Sequence, residues 1–372
     1  FASVSTPLWA DEGVSFSHKD WELACDNTLT CRAAGYSAEE GAGGSVLLTR
    51  AGGPDSLTHG RVVLADTGDD DAQQVNALAL WIDDRALGEV SKAENDEWTL
   101  SDAQTQALIA AIKGSARVEF RGAAEPFELS GNGAFATLLK MDEAQGRLNT
   151  PGALVRKGNQ PEASVPAAVA MPVIQQVHVL KAAPRPLTPD ELAQVKPKLI
   201  ASLTDDDSCD NLAPSDDQPE EGAEPPTLTP VDAQQVLIAA LCWRGAYNEG
   251  YGFWLLDNAL QGTPQLITDS GSDYHDGVIS EAQKGRGIGD CWSTAAWVWD
   301  GRQFVQSSEA TTGMRLGHLI RHGFCRVPDG HDMGDGVIDL RTVDAVAHQH
   351  RHAQQKSVEG DGEGGGIGVG AQ

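Results

Sequence analysis

The sequence predicts an α+β fold, mostly antiparallel β, made of two β-rich domains with a few short helices and braced by disulfides. Three observations predict it. Short strand-like runs punctuated by Gly, Asp and Asn recur through both halves of the 372-residue chain. Helical periodicity with cap signals is confined to three stretches. The six cysteines show neither a Cys-x-x-Cys pair nor any other metal-finger spacing, so they read as disulfide partners.

In the first half, strand-like runs cover residues 45–49, 61–65, 77–83, 117–121 and 126–130, and Asp83-Asp84 stands at a tight turn. Ser101 and Gln104 have capping-box spacing, Gly114 stops the run, and Ala107, Leu108, Ala111 and Ile112 fall on one face. A second helix is expected over 134–145 after Gly131-Asn132-Gly133, burying Phe135, Ala136, Leu138 and Leu139. Both helices read as scaffolding.

Residues 150–186 shift toward Ala, Pro and Val, a connection carrying one extended piece, 173–180. Thr188-Pro189-Asp190-Glu191 then supplies an N-cap, a first-turn proline and an N3 carboxylate in order. The helix that follows runs to about residue 203, strained or broken at Pro197. The acidic stretch 205–226 reads as a solvated linker, because EF-hand spacing with its glycine and distal glutamate is absent. The second half offers strands over 236–242, 252–257, 277–282, 294–300 and 303–307, with Asp300-Gly301 as a hairpin turn. The expected domains are 1–150, a connecting segment 151–227, an aromatic-rich antiparallel domain 228–314, and an atypical tail 315–372.

Charge narrows the partners. Lys and Arg number 27 against 54 Asp and Glu, a formal −27. That field repels phosphate backbones, so nucleic acid and anionic membrane surfaces are poor partners, and no apolar run is long enough for a membrane span. Cations or a basic protein are electrostatically easier. The chain opens at Phe1 without a basic or apolar leader, as expected of a mature chain whose signal peptide has been removed.

Cys25 and Cys31 bracket a turn-rich stretch between 21–24 and 32–36, so a bridge would staple that hairpin across its mouth. Pairing Cys209 with Cys242 would tie the acidic segment to the second domain, and elimination leaves Cys291 with Cys325. Disulfides persist in oxidising compartments, so a periplasmic or secreted location is expected.

Two groups of residues carry a resemblance. Trp243-Arg244-Gly245-Ala246-Tyr247-Asn248 after Cys242, Gly289-Asp290-Cys291, the Trp299-Asp300-Gly301 hairpin with Phe304, and Trp21-Glu22-Leu23-Ala24-Cys25-Asp26-Asn27 resemble a bacterial envelope family. That family is known as domain of unknown function 1176, and the resemblance covers residues 15–314. The first half also resembles the invasion-associated locus B proteins, in Trp21 to Cys25, Ser101 to Lys113, Val118 to Phe120 and Gly133 to Phe135. The second resemblance implies an exported β-rich module, sometimes tied to host-cell contact, and neither supplies catalytic residues. After Met314 the texture departs from the family pattern and drifts into Gly, His, Asp and Gln, as a disordered tail or a frameshift in a GC-rich gene would give. A frameshift would make Cys325 accidental.

Nothing in the sequence signals catalysis. There is no Gly-x-Ser-x-Gly elbow, no His-Glu-x-x-His and no phosphate loop. Gly285-Arg286-Gly287-Ile288-Gly289 reads as a loop entering the Cys291 strand, and His348, His350 and His352 as adventitious. Asp269, Asp273, His275 and Asp276 crowd a polar loop that turn hydrogen bonds explain better than a bound cation. No cofactor is expected.

The aromatic set is the most informative group. Trp243, Arg244, Tyr247, Asn248, Trp254 and Trp292 form the candidate binding patch, suited to a peptide or glycan if the aromatics point outward. The expected function is a non-enzymatic binding protein of the envelope, with an unidentified envelope protein or polymer as partner. A carboxylate-dependent periplasmic hydrolase is the alternative, and a calcium-responsive protein the third. A pocket holding a carboxylate of raised pKa would favour the hydrolase.

Overall fold

The first ten strands are β1 (Val14–His18), β2 (Trp21–Cys25), β3 (Cys31–Tyr36), β4 (Gly44–Arg50), β5 (Thr58–Leu64), β6 (Leu78–Ile82), β7 (Arg85–Lys92), β8 (Glu97–Thr99), β9 (Val118–Arg121) and β10 (Phe127–Leu129). In this computed structural model, residues 13–37, 43–64, 75–93, 97–212, 225–284, 292–311 and the backbone of 319–322 are described. The ten strands make one antiparallel sheet in the order β1-β2-β3-β4-β5-β8-β7-β6-β9-β10. It curls until β10 returns to β3: Ser37 bridges Leu129, and the Trp21 indole donates to the Ser130 carbonyl at 2.8 Å. Trp21, Leu23, Leu48, Val62, Leu80, Phe120 and Phe127 fill the space enclosed.

Asp83 and Asp84 both have positive φ, which is what a two-residue hairpin between β6 and β7 requires. Helix α1 (Asp102–Ile112) starts on a complete capping box, with the Ser101 side chain accepting from Gln104 N and the Gln104 side chain reaching back to Ser101 N. Leu108, Ala111 and Ile112 are buried as the spacing predicts. Helix α2 (Ala134–Ala144) is rotated from expectation: Phe135 is 53% exposed, and the buried side is Ala134, Thr137, Leu138, Met141 and Asp142. The physical reason is that Asp142 must face inward.

Asp142 is the centre of a buried polar network. Its carboxylate accepts from the Arg50 guanidinium at 2.8 Å and from Leu154 N and Val155 N at 3.0 and 2.9 Å. Arg50 Nε donates to Gln145 Oε1 at 2.6 Å, and the Gln145 amide donates to the Leu29 and Arg50 carbonyls. Beside it, Arg147 donates to Glu162 at 2.7 Å and to the Gly53 carbonyl. Burial pulls both guanidinium groups below their ordinary range, and the neighbouring carboxylates oppose it. The network pins residues 147–165, which have little regular structure, against β4 and α2.

Beyond the connection, β11 (Arg185–Pro186), β12 (Thr227–Pro230), β13 (Gln235–Arg244), β14 (Glu249–Asp257) and β15 (Gln265–Gly271) form one sheet. A second sheet contains β16 (Asp273–His275), β17 (Val278–Lys284), β18 (Trp292–Trp299), β19 (Phe304–Thr311) and β20 (Leu319–His322). β20 lies inside the stretch expected to be an atypical tail, yet its backbone pairs with β19. The chain passes from β15 to β16 through Ser272 alone, whose N donates to the Ser280 carbonyl, so the two sheets are halves of one bent meander.

Helix α3 (Pro189–Ala201) has the expected capping box at Thr188 and Glu191, and it continues through Pro197 without a break. Arg185 grips Glu191 with two hydrogen bonds of 2.8 and 2.6 Å, holding that carboxyl down to about 2. The continuous apolar run 236–242 is explained by cover on both faces. Val236, Ile238, Ala240 and Cys242 face α3 through Val195 and Leu199, while Leu237 faces Ile279, Trp299 and Phe304 of the second sheet.

Gly252 lies under the Trp254 indole, where a Cβ would come within 2.1 Å of the ring and 2.6 Å of Cys242 Sγ. Gly252→Ala is therefore expected to destabilise by about 2–3 kcal/mol, since ring and sulfur are both fixed. A urea midpoint equal to wild type would refute this.

Cys25 with Cys31 and Cys209 with Cys242 are disulfides. The first joins residues directly opposite in the β2–β3 register, and the second fastens the turn at Asp210–Leu212 to β13. Cys291 and Cys325 lie outside the described residues. The extended piece expected at 173–180 is not a sheet strand, but Val177 N donates to Trp299 O and Leu180 N to Val231 O.

Candidate functional site

Alternation along β17 puts Ile279, Glu281 and Gln283 on one face, the face turned toward the first sheet of the meander. Ile279 is in the apolar core with Trp299 and Phe304. Gln283 is buried and donates to the Glu249 and Ser270 carbonyls at 3.1 and 2.8 Å, stitching β17 to β14 and β15. Glu281 lies between these two, where apolar packing gives way to polar stitching.

A pocket of about 350 Å³ opens at that boundary, lined by Glu281, Ser293, Ala295, Trp297, Gln306 and Glu309 among others. Glu281, Ala295 and Glu309 are successive register partners across β17, β18 and β19, so two carboxylates flank a small alanine on the same face. Burial drives the Glu281 carboxyl up to about 7, with the negative charges of Asp269 and Glu309 adding to the effect and a hydrogen bond from Thr268 opposing it. Asp269 accepts from Ser208 N at 2.6 Å and Ser270 Oγ at 2.7 Å. None of the described lining residues is basic. The site can exchange a proton near neutral pH or accept a positive charge.

A family model described as protein of unknown function, DUF1176, matches residues 15–317, which include every residue lining this pocket. The chain belongs to that family. It is also similar to the Uncharacterized protein YpfG of Escherichia coli (strain K12), at 24% identity over 333 residues, covering 82% of this chain and 89% of that one. No solved structure matches.

The expected aromatic patch is only partly assembled in this DUF1176 chain. Trp254 is fully buried among Ile238, Leu256 and α3, its indole donating to Ser202 Oγ at 3.1 Å, so it is core and not surface. Even numbering placed it on the α3 face of β14, which alternation alone could not distinguish from solvent. Trp243 is half-buried over Gly250, and Arg244 pairs with Glu249 at 3.1 Å. Asn248 makes two hydrogen bonds to the Lys284 backbone, at 2.7 and 2.8 Å, and so is a clamp between β14 and β17. Tyr247 is 60% exposed, and the Lys284 ammonium sits 5.5 Å from the Trp292 ring centre. Tyr247, Asn248, Lys284 and Trp292 thus gather at one end of the meander, and Trp292 precedes the pocket residue Ser293.

Asp269, Asp273, His275 and Asp276 do not converge. Asp269 is held by Ser208 N and Ser270 Oγ, whereas His275 and Asp276 pair at 3.3 Å in an exposed turn. No group of three or more His, Cys, Asp or Glu able to hold a metal occurs among the described residues. Glu281 and Glu309 were missed from sequence. The available signal was a charged residue on the Ile279 face of a strand, visible only once β17 is known to run to Lys284.

Proposed function

We propose that this chain is an exported, non-enzymatic binding protein of the bacterial envelope that receives a cationic group of a protein or polymer partner in the Glu281 pocket. The observation that carries this reading is that Glu281 and Glu309 line one cavity with no basic residue among its described lining, while the negative charge of Asp269 adds to the effect at Glu281. An incoming ammonium or guanidinium would relieve the like-charge repulsion and ionise Glu281 fully. The neighbouring Tyr247 and Trp292 supply aromatic surface beside it. Buried disulfides support export.

The test is affinity capture from a bacterial envelope extract at low and moderate salt, using wild type and a Glu281→Gln/Glu309→Gln variant. A partner held by wild type at moderate salt and lost by at least about tenfold in the variant supports the reading. Equal retention by both, or only basic proteins that leave as salt rises, overturns it.

A second reading is favoured by the raised Glu281 carboxyl alone. A glutamic acid still protonated near neutrality, across one strand from a second carboxylate, is the arrangement of a general acid with its partner in glycoside hydrolysis. Release of reducing sugar ends from envelope glycan, abolished by Glu281→Gln, would establish it. No release by wild type would remove it.

A further inference from the structure

We propose that the loop of residues 149–160 is an anion-binding site, where Arg156, Lys157 and Lys113 receive a single phosphate group. The formal charge of −27 is unevenly spread. Between Glu143 and Asp190 the only acidic residue is Glu162, against Arg147, Arg156, Lys157, Lys181 and Arg185. At physiological salt a charge is felt over about 8 Å, so the local balance and not the total governs what this loop meets.

The loop is fixed although it has little regular structure. Asp142 holds Leu154 N and Val155 N, the two residues before Arg156. Asn149, at positive φ, donates its N to the Arg156 carbonyl and accepts from Gln160 N, both at 2.9 Å. Gly158 N donates to Thr150 O, and a Cβ on Gly158 would come within 2.5 Å of Asn149 O, so 156–160 is wrapped tightly round Asn149. Lys113, the C-cap of α1, reaches across to the Leu154 carbonyl at 2.5 Å, which sets its ammonium two residues from Arg156. Burial and then the charge of Lys157 pull Lys113 below its ordinary range, and Asp142 opposes them.

The carboxylates packed around the loop are already engaged. Asp142 is paired with Arg50, Glu162 with Arg147 and Glu143 with Lys140. Asp55 acts on Arg147. Arg156 and Lys157 are exposed and make no side-chain hydrogen bond or ion pair among the described residues. Three cations exceed what one carboxylate neutralises, whereas a phosphate brings up to about two negative charges and three strong acceptor oxygens. A long polyanion would carry its further charges over the acidic remainder of the chain, so the group must be an isolated one.

Backbone amide NMR of the full chain tests this as inorganic phosphate is added at constant ionic strength, with acetate as the control. Wild type should give saturable shifts confined to 149–160 and the end of α1, and binding should weaken by at least about tenfold in Arg156→Gln/Lys157→Gln. Shifts that do not saturate, that acetate reproduces, or that persist in the double variant would overturn the proposal. Co-sedimentation with phosphatidylcholine vesicles containing phosphatidic acid then separates the sources. Sedimentation of wild type but not of the double variant identifies a lipid headgroup, and its absence beside saturable phosphate shifts identifies free phosphate or a soluble ester. The Glu281 pocket takes no part in either measurement, so this proposal and the binding reading can fail separately.

Discussion

Replacing Asp142 with alanine is expected to lower the unfolding free energy by about 3–5 kcal/mol, because it strands the Arg50 guanidinium in the interior. Arg50 and Asp142 are both essentially inaccessible, and their 2.8 Å contact has no solvent-screened alternative. The same change orphans Leu154 N and Val155 N, which hold the irregular 147–165 segment to α2. Asp142→Asn should cost less, since its amide oxygen still accepts one of those bonds while the charge on Arg50 goes unmatched. Urea unfolding followed by tryptophan fluorescence gives the comparison. An alanine variant within about 1 kcal/mol of wild type would show that water enters and solvates Arg50, contrary to the packing described.

The second large effect concerns the longer disulfide. Cys209 and Cys242 are 33 residues apart in sequence, and closing a loop of that length removes unfolded-state entropy equivalent to about 3.7 kcal/mol. Cys25 and Cys31, only 6 apart, contribute about 2 kcal/mol on the same basis. A Cys209→Ala/Cys242→Ala chain should therefore melt lower than a Cys25→Ala/Cys31→Ala chain. Both bridges are buried, Cys242 beneath Trp254, so the folded chain should resist a mild reductant that reduces the urea-unfolded chain at once. Calorimetry of the two double variants checks the ranking. A smaller loss from the 33-residue loop than from the 6-residue one would contradict it.

The local elements were legible because their signals are local. Ser101 with Gln104 and Thr188 with Glu191 are complete capping boxes, and a cap needs only four consecutive residues. Asp83-Asp84 and Asp300-Gly301 turn the chain through positive φ, a property of the residues themselves. Two of the strands that escaped notice have a pattern blurred by their partners. Gln265–Gly271 is half-buried along its length, and Arg85–Lys92 is largely exposed, so neither alternates clearly. Phe135 was misplaced for a related reason, since helical periodicity marks a face but cannot anticipate a buried carboxylate claiming it.

The candidate site was less legible than the fold. Trp254 and Trp292 looked alike in sequence, but one is core and the other stands beside Lys284. Asp269, Glu281 and Glu309 lie on three separate strands, and among 54 acidic residues nothing local distinguishes them. By itself the sequence determined the fold class, the helix starts, two hairpin turns and the net charge, because each depends on neighbours along the chain or on composition. Only the tertiary structure decided which carboxylates meet, that β15 and β16 bend one meander into two sheets, and that Asp142 faces Arg50. Those outcomes depend on what lies across a register or beneath a helix, and burial there, not residue type, sets whether a charge is solvated, paired or held neutral.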